Sequence, residues 1–186
     1  MDLVSTIKLF KYYKRLADQT FDQLDEKDLF WEYQAGNNSI AIIVQHLVGN
    51  MLSRFTDFLK SDGEKSWRDR DKEFVLLLRN KQDLLDRWEA GWNTLFSAIE
   101  HLDDVDLQEV VYIRKIGHTV PEAIQRQLAH YAYHIGQIVL IGKMIKGQNW
   151  KSLSILPGAS SIYNREKFKQ PKSKGHFTDE FLDTER

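Results

Sequence analysis

The stretch from Thr119 to Gly147, TVPEAIQRQLAHYAYHIGQIVLIGKMIKG, leaves little choice of secondary structure. Thr119 and Glu122 stand in the Thr-x-x-Glu relation of a capping box, and Pro121 falls in a first turn, where its missing N–H removes no helical bond. Gly147 supplies a residue able to take a positive φ just past the last turn. Between these ends Ile124, Leu128, Tyr131, Ile135, Ile138, Gly142 and Ile145 recur every three or four residues, which is the apolar face of an amphipathic helix. His130 and His134 lie four apart on the edge of that face, so their imidazoles stand one turn apart and can point at the same metal ion.

Such a helix needs partners of similar length, and the chain offers three. Leu3, Ile7, Phe10, Ala17, Phe21 and Leu24 predict a first helix over about residues 2–24, with Lys14 the polar break in its stripe. Residues 25–38 are polar with embedded Phe30, Trp31 and Tyr33. They read as a loop whose aromatics cover one end of the core, with Asn38 or Ser39 capping the next helix. That second helix, about 40–60, is apolar on most of its circumference and so belongs at the centre of the fold. His46 and Asn50 lie on it, with little solvent-facing surface to occupy. Residues 61–79, SDGEKSWRDRDKEFVLLLR, form a connection longer than a tight joint between antiparallel neighbours, of the kind that crosses over a bundle.

Asn80 caps a third helix, about 81–102, with Leu84, Leu85, Trp88, Trp92, Leu95, Phe96, Ile99 and Leu102 as its buried stripe. Residues 103–107 read as a loop. The runs 110–113 and 116–120 flank Arg114-Lys115 as a short β-hairpin directly before the last helix. After Gly147 come a Pro-Gly turn and one short helix, and from Arg165 the chain is polar. The expectation is an all-α four-helix bundle, one domain over 1–164, with a long crossover between helices 2 and 3 and a flexible polar tail over 165–186.

With 186 residues, 42% of them hydrophobic, the chain can bury a core without staples. Lys and Arg number 26 against 27 Asp and Glu, so no overall charge argues for nucleic acid or an anionic membrane. No cysteine is present, which excludes disulfides, thiolate ligands and a thiol nucleophile supplied by the protein. The start MDLVSTIKLFKYYKRL is not a secretory signal. The longest apolar run, Ile40 to Val48, is broken by Gln45 and His46 and is too short to span a bilayer. A soluble, cytoplasmic protein is expected.

Three histidines on two helices, with no cysteine, fit a catalytic rather than a structural metal site, since three protein ligands leave a position for water or substrate. The competing reading is a set of hydrogen-bonded core histidines. The helix carrying His130 and His134 lacks the glutamate of His-Glu-x-x-His, which disfavours a metalloprotease. Gln45, Asn50 and Gln137 each lie within a turn of a histidine, as substrate or supporting residues or as ordinary amides. In WRDRDKEF, Arg68 and Arg70 could hold an anionic substrate from a lid. The alternating charges favour instead a crossover pinned by its own ion pairs. His101, His118 and His176 fall near element ends or in the tail and are not expected as ligands.

The segments RQLAHYAYHIGQIVLIGKMI, NSIAIIVQHLVGNMLSRFTDFL, DGEKSWRDRDKEF and WKSLSI resemble a DinB-like (YfiT-like) metalloenzyme, and more closely a subfamily of unknown function. The resemblance spans about residues 5–165. It implies a DinB-type four-helix bundle and a divalent metal, zinc or nickel, on His46, His130 and His134. SILPGASSIYN departs from the Pro-Arg-Gly run expected there. Characterised members of the superfamily look like transferases and isomerases that use a small thiol such as bacillithiol, mycothiol or glutathione. A metal with an open position can hold a thiol as thiolate, and a protein without cysteine would rely on that cofactor's sulfur.

Two functions are compatible with these residues. One is a metal-dependent enzyme, a thiol S-transferase acting on a small electrophile, with a pocket beside the open position. The other is a non-catalytic, dimeric binding or stress-associated bundle whose histidine cluster is structural or vestigial and sealed by side chains. The discriminating feature is whether a cavity reaches the point where the imidazoles meet.

Overall fold

The computed structural model describes residues 1–182 and is predominantly helical. Four long helices share one hydrophobic core: α1 (Leu3–Asp22), α3 (Ile40–Phe55), α4 (Lys81–Ile99) and α5 (Val120–Lys146), with a single turn, α2 (Glu26–Leu29), between the first two. Their starts carry side-chain caps: Asp2 accepts from Ser5, Ser39 from Ile42, Asn80 from Asp83, and Thr119 with Glu122 forms a complete capping box. Gly147 ends α5 at a φ of 52°. α3 packs along α4 and α1 along α5. Phe10 of α1, Trp92 of α4 and Tyr131 of α5 meet at ring centroid distances of 5.9 to 6.2 Å, which ties three helices into one aromatic node.

Several boundaries move. The second long helix stops at Phe55 rather than near residue 60, because Thr56 is extended and Asp57 takes a φ of 49°. The expected loop over 25–38 contains α2, set by an Asp25–Asp28 capping box. Of its aromatics only Phe30 packs on the core, while Trp31 and Tyr33 are exposed, so they do not cover it. Lys14 is paired with Asp18 of its own helix and Glu89 of α4.

The expected hairpin is present: β1 (Val110–Ile113) pairs antiparallel with β2 (Ile116–Thr119), from Val110 opposite Thr119 to Ile113 opposite Ile116. Arg114 and Lys115 both have positive φ, as a two-residue primed turn requires, although neither is a glycine or asparagine. Asp62 offsets that strain by accepting both their backbone N–H groups, at 2.9 and 2.8 Å. The tip of the hairpin is thereby tied to the long connection between α3 and α4.

Beyond α5, α6 (Ser160–Phe168) runs across residue 164, and α7 (Asp179–Leu182) returns to α1. Lys8 pairs with Asp179 at 2.6 Å, and Phe177 and Phe181 stand against Tyr12. Residues 183–186 of the expected tail lie outside the described residues. No helix among the described residues is long and apolar enough to cross a membrane.

Candidate metal centre

His46 projects from the middle of α3, the most completely buried helix, and is 4% exposed. His130 and His134 project from α5 and are half-buried. One nitrogen from each of the three lies within 4.8 Å of the others, and His46 Nε2 stands 3.2 Å from His130 Nε2. Three nitrogens at zinc-ligand distances of about 2.1 Å in tetrahedral geometry stand about 3.4 Å apart. The donors are therefore close enough to hold a metal.

The outer nitrogens are committed elsewhere. His46 Nδ1 lies 2.8 Å from Glu73 Oε2, and an ionised carboxylate only accepts, so a proton sits on Nδ1 and Nε2 is the nitrogen turned toward the other two histidines. His134 Nδ1 lies 2.8 Å from Gln137 Oε1, which fixes its tautomer in the same sense. A carboxylate or carbonyl behind a ligand imidazole orients the ring and raises its basicity.

Glu73 sits in a 3-10 turn, Asp71–Phe74, of the long connection. Arg68 grips it in a two-pronged pair, Nε to Oε1 at 2.7 Å and Nη2 to Oε2 at 3.0 Å. Burial alone would raise the Glu73 pKa, but the bonds from His46 and Arg68 hold it below the ordinary carboxylate range. Gly49 provides the room: a Cβ there would come within 2.8 Å of the Glu73 carboxyl carbon. Burial, with the imidazoles of His134 and His46 next, brings the His130 pKa down to about 3. Burial also lowers His134, against the opposing bond to Gln137. Both are thus neutral at physiological pH, the form that coordinates a metal.

A cavity of about 380 Å³ opens directly onto the three histidines, and Asn50 and Phe74 are among its walls. Sites for small molecules commonly occupy about 300–1,000 Å³. The other residues expected near the site take different parts. Gln45 stays off the cavity wall. Its amide donates to the carbonyls of Lys72, Glu73 and Val75 at 2.8 to 3.1 Å and accepts from Leu77 N–H, so it clamps the segment that carries Glu73. Asn50 accepts from the Tyr131 hydroxyl at 2.9 Å and reaches the cavity. Arg68 serves Glu73, and Arg70 lies over the Phe74 ring at 5.3 Å.

Sequence reasoning missed the role of Glu73, and it missed Arg54, Arg114, Arg126 and Gln127, which also line the cavity. Arg54 is buried in α3 and donates to Gly63 O and to Glu64 at 2.9 Å. His118 lies 3.4 Å from Arg126, outside the histidine cluster.

The family model described as Protein of unknown function (DUF1572) matches residues 2–159, and the chain belongs to that family. No curated protein and no solved structure matches it.

Proposed function

We propose that this family member is a divalent-metal protein of DinB type, in which His46, His130 and His134 hold zinc or nickel and leave one coordination position open to the cavity. We further infer that it uses this position as a transferase for a small thiol. The observation that carries the reading is the cavity itself. A vestigial or structural cluster would be sealed by side chains, whereas these imidazoles form the floor of an open space. The donor set fits the metal: three imidazoles, two of them with their outer nitrogens held by Glu73 and Gln137 so that the other nitrogen faces the cluster. When bound, such an ion supplies a Lewis-acidic position that keeps a thiol sulfur ionised at neutral pH.

The protein's own residues do the rest. Arg68 and Glu73 hold the His46 ring against rotation, and the stacked Phe74 ring, 5.0 Å away, shields it from water. Asn50 and Gln127 present amides on the wall beside the imidazoles, where they can orient a bound reactant. The thiol reading rests on the sequence resemblance, and a chain without cysteine is compatible with a sulfur supplied by a diffusible partner.

The test is elemental analysis of protein purified without a histidine tag. About one zinc or nickel per chain is expected, lost on His130→Ala. If the wild type retains none and binds none on addition, the metal reading is wrong. With metal established, an ultraviolet charge-transfer band that appears when a thiol is added to the nickel-loaded wild type, and not when it is added to the metal-free His130→Ala protein, tests the open position.

A further inference from the structure

The arginines of the cavity exceed what the metal reading requires. Five guanidiniums line it, from Arg54, Arg68, Arg70, Arg114 and Arg126, and they arrive from α3, the long connection, the hairpin and α5. The carboxylates that pair with them are two. Glu73 takes Arg68, and Glu64 takes Arg54 at 2.9 Å, Arg114 at 3.3 Å and Arg68 at 3.4 Å. Arg70 and Arg126 have no ion pair with an acidic side chain among the described residues. Two further polar atoms at the wall, Arg54 Nε and Gln127 Oε1, are buried without a hydrogen-bond partner although their residues are only 6% and 4% exposed. Buried polar groups are ordinarily satisfied, so these point to a missing polar ligand: Arg54 Nε is a donor left for an anion, whereas Gln127 Oε1 accepts and would need a donor elsewhere on the same molecule.

We propose that the cavity binds a substrate carrying a phosphoryl group, with that dianion seated among Arg70, Arg114 and Arg126 and the rest of the molecule directed to the histidines. The inference shares its cavity with the metal reading but does not need the metal. A planar carboxylate is satisfied by one guanidinium fork. A tetrahedral oxyanion with three terminal oxygens accepts forks from several directions, which is how these arginines are disposed, on separate elements around one space. The alternating charges of WRDRDKEF thus divide: Arg68 is spent on Glu73, and Arg70 is left to a ligand.

Inorganic phosphate titrated by calorimetry into the EDTA-treated full chain at low salt tests this. Saturable binding of one phosphate is expected, weakened about tenfold by Arg70→Ala or Arg126→Ala, while acetate binds at least about tenfold more weakly than phosphate. Arg70 and Arg126 are exposed, so their truncation leaves the fold intact. Phosphate binding that is absent, unaffected by both variants, or matched by acetate overturns the proposal. Phosphate binding that survives in His130→Ala, in a protein that never takes up metal, sustains it while the metal reading fails.

Discussion

The two sides of the histidine cluster are built differently. On α3, His46 is almost fully buried and backed by an ionised carboxylate, itself gripped by an arginine whose side chain is 2% exposed. Both partners come from the long connection after α3, with Glu73 27 residues beyond His46, and Gln45 closes that segment onto α3. On α5, His134 is half-buried and backed by a neutral amide three residues along the same helix. One side is a long-range ionic relay locked into the core, and the other a local bond at a partly wet surface. The first would fix where the proposed metal sits, because its geometry cannot change without unseating a buried charge. The second can adjust by a rotamer, which suits the side facing the cavity.

The largest effect should come from breaking the α3 relay. Glu73→Ala leaves Arg68 buried against only a distant share of Glu64, and should cost about 3 kcal/mol in denaturant unfolding. Zinc affinity should fall about 10- to 100-fold. Wild-type stability in this variant would erase the contrast between the two sides. Gly49→Ala probes the same seat from below: helix propensity alone predicts a gain of up to about 1 kcal/mol, whereas the clash with Glu73 predicts a loss of about 1–2 kcal/mol with weaker metal binding. A stabilised Gly49→Ala protein means that Glu73 is not held there.

Acid should act mainly on the α5 side. The His130 pKa is depressed to about 3 and the unfolded imidazole titrates near 6.5, so its contribution to stability is complete above about pH 6.5 and is lost as pH falls toward 3. Melting curves of the metal-free protein should show a fall in Tm over that window that is shallower in His130→Gln. Equal slopes would mean that His130 is not held neutral. The smallest effect belongs to Gln137→Ala: zinc affinity reduced about tenfold at most, with stability within about 0.5 kcal/mol, since a local bond at a half-exposed site is lost. A larger loss than that of Glu73→Ala would invert the comparison.

Legibility in the sequence divides along the same line. The α5 side is local, so the capping box, the apolar stripe and the four-residue spacing of His130 and His134 put it in plain view. His46 is reachable because α3 is apolar nearly all round, which buries any polar residue on it. The hairpin is legible from its two short β-prone runs. Glu73 is not, because it lies on an irregular segment without periodicity, and pairwise charge alternation shows that ions can pair but not what stands behind the pair. Arg54, Arg114 and Arg126 lie on three elements and share a wall only after folding; nothing in their spacing connects them. The end of α3 escapes because the apolar pattern continues through Phe58 and Leu59 while the backbone turns at Asp57.

The guanidinium wall has a consequence for how the centre is filled. A bare dication approaching the histidines crosses a mouth of like charge within one Debye length, about 10 Å at 0.1 M salt. Entry of the proposed ion should therefore be slow and quicken as salt is added, the reverse of the usual salt response for attraction between opposite charges. A metal presented as an anionic chelate enters faster than the aquo ion. Under the proposed metal reading the mouth would act as a polarity filter, admitting anions and guarding a bound ion from exchange with other cations.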